Sequence, residues 1–257
     1  MGERGPIFPA FPIHGVGRYD ASMMVGAWER ALVASWLPER LELMDSGLTG
    51  GEEHPVVFAF GTQEAVHSNI APPLTMSYEE FIVVIPFVRF KGDGYDYEGP
   101  YSFMPRLYLD ELLPTLLGWL YGYDKQLARV RDGEVYRVHT ATLDRPIIQG
   151  KFRANGSPEP VESLPGFDAI RAIFEQPLVG QWALGPYVSS FLRFDLSDAT
   201  GQVASGEVDV RQEFLDGLSV GRRGYDPLSA GALGGFRMSV PWTLTAPAWP
   251  SRVKAGG

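Results

Sequence analysis

The chain has 257 residues, a net charge of −9 and no cysteine. Without thiols there are no disulfides, zinc–thiolate sites, cysteine-held iron–sulfur clusters or cysteine nucleophile. Arg222-Arg223 is only a pair, and no Lys/Arg cluster offers the basic face that nucleic acid requires. The length suits one large domain or two small ones, and 45% hydrophobic with 21% charged residues is an ordinary globular balance. Pro6, Pro9 and Pro12 interrupt the first residues too often for a signal peptide. The longest apolar run, Phe81 to Val88, is too short to cross a bilayer. The expectation is a soluble cytoplasmic protein with no membrane and no nucleic-acid partner.

In chain order, residues 1–17 read as an extended arm ahead of a single domain over 18–250. Trp28 to Trp36 reads as a helix with Leu32, Val33 and Trp36 on one side, ended by Pro38. Leu41 to Met44 is a short strand, Ser46 to His54 a loop, and Pro55 to Phe60 a buried strand. Tyr78 to Phe90 carries the strongest strand signal, with Pro86 marking an edge or bulge. A Gly/Asp/Tyr turn over Lys91 to Pro100 leads to a strand over Ser102 to Leu109. Pro114 to Tyr121 is a helix that Gly122 can terminate. Lys125 to Val130 and Glu134 to Leu143 form a hairpin across Asp132-Gly133, and Asn155 to Pro165 is a loop. Tyr187 to Leu196 and Gly206 to Val210 continue an antiparallel series, and Phe214 to Leu218 belongs to a further strand. Gly221 to Gly235 is a long glycine-containing segment, and Phe236 to Thr245 is the last strand. Many strands with few helices predict an α+β domain on an antiparallel sheet.

One residue stands out chemically. Lys125 is the only lysine between Lys91 and Lys151, and it directly follows the predicted helix. In an apolar place it would lose hydration, its pKa would fall, and its neutral amine would be a nucleophile toward carbonyls. The plain alternative is a surface lysine on a strand. Asp124 need not touch it, because strand neighbours point to opposite faces. The same alternation places one of Glu79 and Glu80 inward. His14, His54, His67 and His139 have no ligand spacing, so no metal is expected.

Three segments carry a family likeness. Tyr108-Leu109-Asp110 is followed by Gly118 and then Tyr121-Gly122-Tyr123-Asp124-Lys125-Gln126-Leu127-Ala128. Tyr78-Glu79-Glu80 leads into Ile82-Val83-Val84-Ile85-Pro86, and Leu37-Pro38-Glu39 precedes Leu41-Glu42. Together they resemble the acetoacetate decarboxylase family over residues 18–145. The resemblance implies an antiparallel sheet closed into a cone or barrel with short helices, and a homo-oligomer. It implies Lys125 and Glu80 as catalytic residues, and Arg18, Tyr78, Tyr121 and Gln126 as substrate contacts, with no cofactor and no metal. Activation of a lysine by its surroundings is the known logic of that family.

The chain also departs from the family pattern. Trp119-Leu120 stands where the family has Arg-Glu, Asp124 where it has Pro, and Gln126 where it has a second lysine. A small anionic β-keto acid would lose hydration with little compensation there. The expectation is therefore a lyase-type enzyme on a small-molecule keto or polyketide-like substrate, with decarboxylation of acetoacetate itself doubtful. A divergent cyclase, aldolase or dehydratase of specialised metabolism is one alternative. A non-catalytic binder of an apolar ligand in the same pocket is another.

Overall fold

A computed structural model describes residues 14–92, 95, 97–120, 123–131, 135–140, 145–181, 187–211, 221–225 and 233–248. The first elements are β1 (His14–Glu29), α1 (Arg30–Ser35), β2 (Leu41–Leu43), β3 (Glu53–Ser68), β4 (Met76–Phe90) and β5 (Tyr101–Leu109). Then come α2 (Leu112–Leu120), β6 (Lys125–Leu127), β7 (Arg129–Arg131), β8 (Tyr136–His139) and β9 (Ile148–Pro160). After α3 (Phe167–Phe174) follow β10 (Leu178–Gln181), β11 (Tyr187–Ser190), β12 (Leu192–Phe194) and β13 (Thr200–Val210). The last described strands are β14 (Gly221–Tyr225) and β15 (Gly234–Thr245).

These strands form one sheet in the order β11-β10-β5-β4-β3-β1-β15-β13-β9-β8-β7. Off that path, β12 pairs with β15, β14 with β13, β2 with β4 and β6 with β5. The sheet curls into a half-barrel, and β7 packs back against β4 and β5. Pairing is antiparallel except at β5, along which β6 and β10 both run parallel. Since β4 holds the other edge of β5, β6 and β10 share one edge, end to end.

Both faces of the sheet are covered, which explains the unbroken apolar run in β4. Phe58, Phe60, Phe81, Val83, Val130, Val138, Ile148 and Val208 belong to one core. Tyr19, Met23, Val57, Ala59, Leu107, Phe167, Ile170 and Met238 belong to the second. The cavity described below opens in the second. No helix among the described residues is long and apolar enough to cross a membrane.

Several sequence expectations need correction. The helix read over Trp28 to Trp36 begins later, at Arg30, because β1 keeps residues 14–29 extended between β3 and β15. The expected hairpin splits. Lys125 to Leu127 pairs with β5, and only Arg129 to Arg131 pairs with β8. The expected loop from Asn155 is strand as far as Pro160, paired with β13. Beyond Gly150 the opposite side of β9 has no described neighbour in the sheet, which is where polar residues and prolines are tolerated. The strand read over Phe214 to Leu218 lies outside the described residues.

Candidate active site

β4 carries the first half of the site. Its alternation turns Tyr78, Glu80, Ile82 and Val84 into one cavity. Glu79 turns the other way, where the Thr62 hydroxyl donates to its Oε1 at 2.8 Å. Glu80 is only 2% exposed. Its Oε1 accepts from Gln63 Nε2 at 2.8 Å, and Gln63 Oε1 accepts from Trp242 Nε1 at 2.8 Å. An indole nitrogen only donates, so it fixes which end of the Gln63 amide faces Glu80.

A β5–α2–β6 crossover brings in the second half. It returns the chain parallel to β5 and sets Lys125 opposite Leu107. The lysine stem lies flat on α2 at Gly118, where a Cβ would run into Lys125 Cδ. A side chain there would have to push the lysine stem aside. The Lys125 Nζ reaches 4.0 Å from Glu80 Oε2 and 5.7 Å from the centre of the Tyr78 ring. Asp124 points elsewhere and accepts from Arg106 Nε at 3.3 Å.

Burial dominates the electrostatics of the pair. It lowers the Lys125 pKa, with Glu80 opposing, and raises that of Glu80, with Lys125 and the Gln63 hydrogen bond opposing. Both shifts favour the uncharged forms, an amine beside a carboxylic acid. Burial, and then the charge of Glu80, also push the Tyr19 phenol well above its usual value. Tyr19 therefore stays protonated, and its buried hydroxyl has no hydrogen-bond partner among the described residues.

The cavity has a volume of about 130 Å³, an order of magnitude above the space one ordered water needs. Its walls are mainly aliphatic and aromatic, including Met23, Val57, Met104, Leu107, Ile173 and Phe174. Among the described residues, Lys125 and Glu80 are its only ionisable acid or base apart from tyrosines. No group of three His, Asp or Glu side chains among them is arranged to hold a metal ion.

Of the residues singled out from sequence, Lys125, Glu80 and Tyr78 meet in this cavity. Arg18 does not line it. Its guanidinium donates to Asp198 at 2.9 Å and to Ser239 at 3.2 Å, on the face of β1 opposite Tyr19. Gln126 is also outside, half-buried and turned away by strand alternation from Lys125. Tyr121 lies outside the described residues. Tyr19, Gln63, Gln176 and Trp242 carry no signal in the sequence as site residues, while Tyr123 lies in the segment of family likeness and also lines the cavity. Tyr123 and Ser190 share a buried hydrogen bond at the cavity wall.

No family model matches the sequence. No curated protein matches it either. Solved structures do share its fold. The enduracididine biosynthesis enzyme MppR, in complex with pyruvate, is 17% identical with a TM-score of 0.61, covering 98% of this chain and 94% of its own. The same enzyme with the condensation product of pyruvate and imidazole 4-carboxaldehyde is 17% identical with a TM-score of 0.58, covering 97% and 98%. The acetoacetate decarboxylase of Legionella pneumophila subsp. pneumophila str. Philadelphia 1 is 15% identical with a TM-score of 0.60, covering 98% and 93%. The chain has the acetoacetate decarboxylase-like fold in a divergent sequence.

Proposed function

We propose that this chain is an imine-forming enzyme that acts on a mostly apolar ketone through Lys125. The observation that carries the reading is a largely buried lysine amine, 4.0 Å from a buried carboxyl, in an apolar cavity. Holding both groups charged there costs several kcal/mol per ion. The pair gains from a reaction that starts from its uncharged forms.

In the proposed reaction, the Nζ lone pair of Lys125 bonds to the ketone carbon, and the carbonyl oxygen takes a proton to give a carbinolamine. Glu80 supplies the further proton that lets this oxygen leave as water. Amine, ketone and carboxylic acid become iminium, carboxylate and water. The Glu80 carboxylate then removes a proton α to the iminium carbon and leaves an enamine. The enamine attacks an aldehyde or ketone, or is reprotonated, and hydrolysis returns the lysine. The Tyr19 phenol is the remaining donor for a developing alkoxide.

Condensation, dehydration or cyclisation is favoured over decarboxylation of a small keto acid. Apart from Lys125, no cation lines the cavity among the described residues, so a substrate carboxylate would meet Glu80 uncompensated. The fold neighbour solved with a condensation product supports that preference.

The test uses the purified chain with medium-chain methyl ketones. Cyanoborohydride should leave one reduced adduct on the Lys125 peptide, and α-protons should exchange with D2O. Lys125→Ala should abolish both, and Glu80→Gln should slow exchange at least ~100-fold, the lower end of general-base effects. Acetoacetate should release little CO2. Absence of any Lys125 adduct would refute the imine reading, and robust CO2 release dependent on Lys125 would restore the simple decarboxylase.

A further inference from the structure

The far end of the cavity holds a polar group that the imine chemistry does not use. Gln176 follows α3 and is 5% exposed. Its Oε1 accepts two hydrogen bonds, from the backbone N–H of Phe87 at 2.9 Å and from the Ser102 hydroxyl at 3.1 Å. A backbone N–H cannot accept, so the amide orientation is fixed by chemistry. Its Nε2 is then a buried double donor, and among the described residues it has no acceptor. Both Gln176 and Ser102 line the same cavity as Lys125. An unsatisfied buried donor costs free energy that a ligand acceptor can recover.

The distance between the two ends follows from register. On β5, Leu107 stands opposite Lys125, and Ser102 stands opposite Leu178, two residues after Gln176. Five residues of β5 separate them, and because β5 carries an extra residue between Phe103 and Arg106 the span is shorter than five full rises, about 13 Å at ~3.3 Å per residue. Met104, Leu107, Ile173, Phe174 and Leu178 contribute apolar wall to the cavity. No cation lines the Gln176 end among the described residues, so the matching group is neutral.

We infer that Gln176 is a specificity-determining contact: it receives a neutral carbonyl-type acceptor at the end of an extended apolar substrate whose ketone lies at Lys125. The inference rests on the imine reading for the position of the ketone. It adds the second functional group and the length between them. The substrate class is a long bifunctional ketone, with an ester, lactone, amide or second ketone at its far end.

The experiment compares two ladders of methyl ketones of increasing chain length with the full chain. One ladder ends in a methyl group, the other in a methyl ester, which only accepts hydrogen bonds. Dissociation constants are read from tryptophan fluorescence, since Trp242 lines the cavity. At one matched chain length the ester should bind about tenfold more tightly than the plain ketone, and shorter or longer pairs should bind alike. Gln176→Met should erase that preference. Equal affinity at every length in the unaltered protein would overturn the inference, whether or not the variant folds. Cyanoborohydride adducts are measured on the same samples. An ester preference without an adduct would remove the imine reading and leave the Gln176 contact. An adduct without a preference would do the reverse.

Discussion

His54 is fully buried, and its two ring nitrogens have fixed roles. Nε2 lies 2.7 Å from the Pro86 carbonyl and must donate, so Nδ1 is the acceptor, facing Arg30 at 3.5 Å. A proton on Nδ1 would confront the guanidinium inside the protein. Burial above all pushes the His54 pKa down from 6.5 to about 4. The folded pKa is depressed, so the unfolded chain binds the extra proton first. The stability contributed by neutral His54 is complete above pH 6.5 and is lost as pH falls toward about 4. The full gap corresponds to about 3 kcal/mol. Urea unfolding of the wild type should therefore weaken between pH 7 and pH 4.5 by more than that of His54→Gln, by up to that amount. Parallel loss in both proteins would show that other groups carry the acid sensitivity. Single residues with strong local chemistry were legible in the sequence at Lys125 and Glu80, where strand alternation and motif order agree. His54 was not, because its partners sit 24 and 32 residues away in sequence and nothing local announces them.

At the scale of elements, the lysine depends on α2 as a platform. Gly118 leaves the space that the Lys125 stem fills, and a methyl group there would collide with Cδ. Inside a helix, Gly→Ala is normally worth up to about 1 kcal/mol of added stability, which here offsets the cost of pushing the flexible lysine stem aside on the buried face that Gly118 occupies. Gly118→Ala thus separates folding from function. The helix should form as well or better, while the lysine is displaced from Glu80. The expected result is an unchanged or higher melting temperature with the α-proton exchange rate down at least about tenfold, read by NMR in D2O and calorimetry. Retained exchange would mean that the lysine finds another path into the cavity. The helix itself was visible in sequence from Pro114 and the leucines. α3 is equally patterned, with Phe167, Ile170, Ile173 and Phe174 following Gly166 at helical spacing, but it is only eight residues long and sits between a proline-rich stretch and Pro177, which mask it. β1 was hidden for a physical reason. Gly15, Gly17 and Gly26 weaken its strand signal, and it forms because β3 and β15 clamp it on both sides.

Across the whole molecule, the first and last described strands meet in the middle of the sheet. β1 and β15 pair from His14 with Thr245 to Val25 with Gly234, more than 200 residues apart in sequence. Such pairing is costly to close and is absent from any local pattern. The strands themselves were largely legible in the sequence, but their order was not, and the order assembles the site. β1 supplies Tyr19, β3 Gln63, β4 Glu80, β6 Lys125 and β15 Trp242. The last strand thereby acts on the carboxyl of the fourth. Trp242 N–H fixes Gln63 with its amide nitrogen toward Glu80, and that hydrogen bond holds the Glu80 pKa below where burial alone would put it. In Trp242→Phe the ring remains but the donor is gone, and the Gln63 amide is free to turn its oxygen toward Glu80. Two acceptors then face each other unless Glu80 keeps its proton, so Glu80 ionises at higher pH. A hydrogen bond of ~1 kcal/mol, at 1.36 kcal/mol per unit, gives a displacement of about one pH unit. At saturating ketone, where Glu80 must be the carboxylate beside the iminium, the acid limb of the pH profile for α-proton exchange should move upward by that amount, with the KM for the ketone changed far less. Superimposable acid limbs in Trp242→Phe and wild type would show that Glu80 is not the base, or that Gln63 is held without the indole.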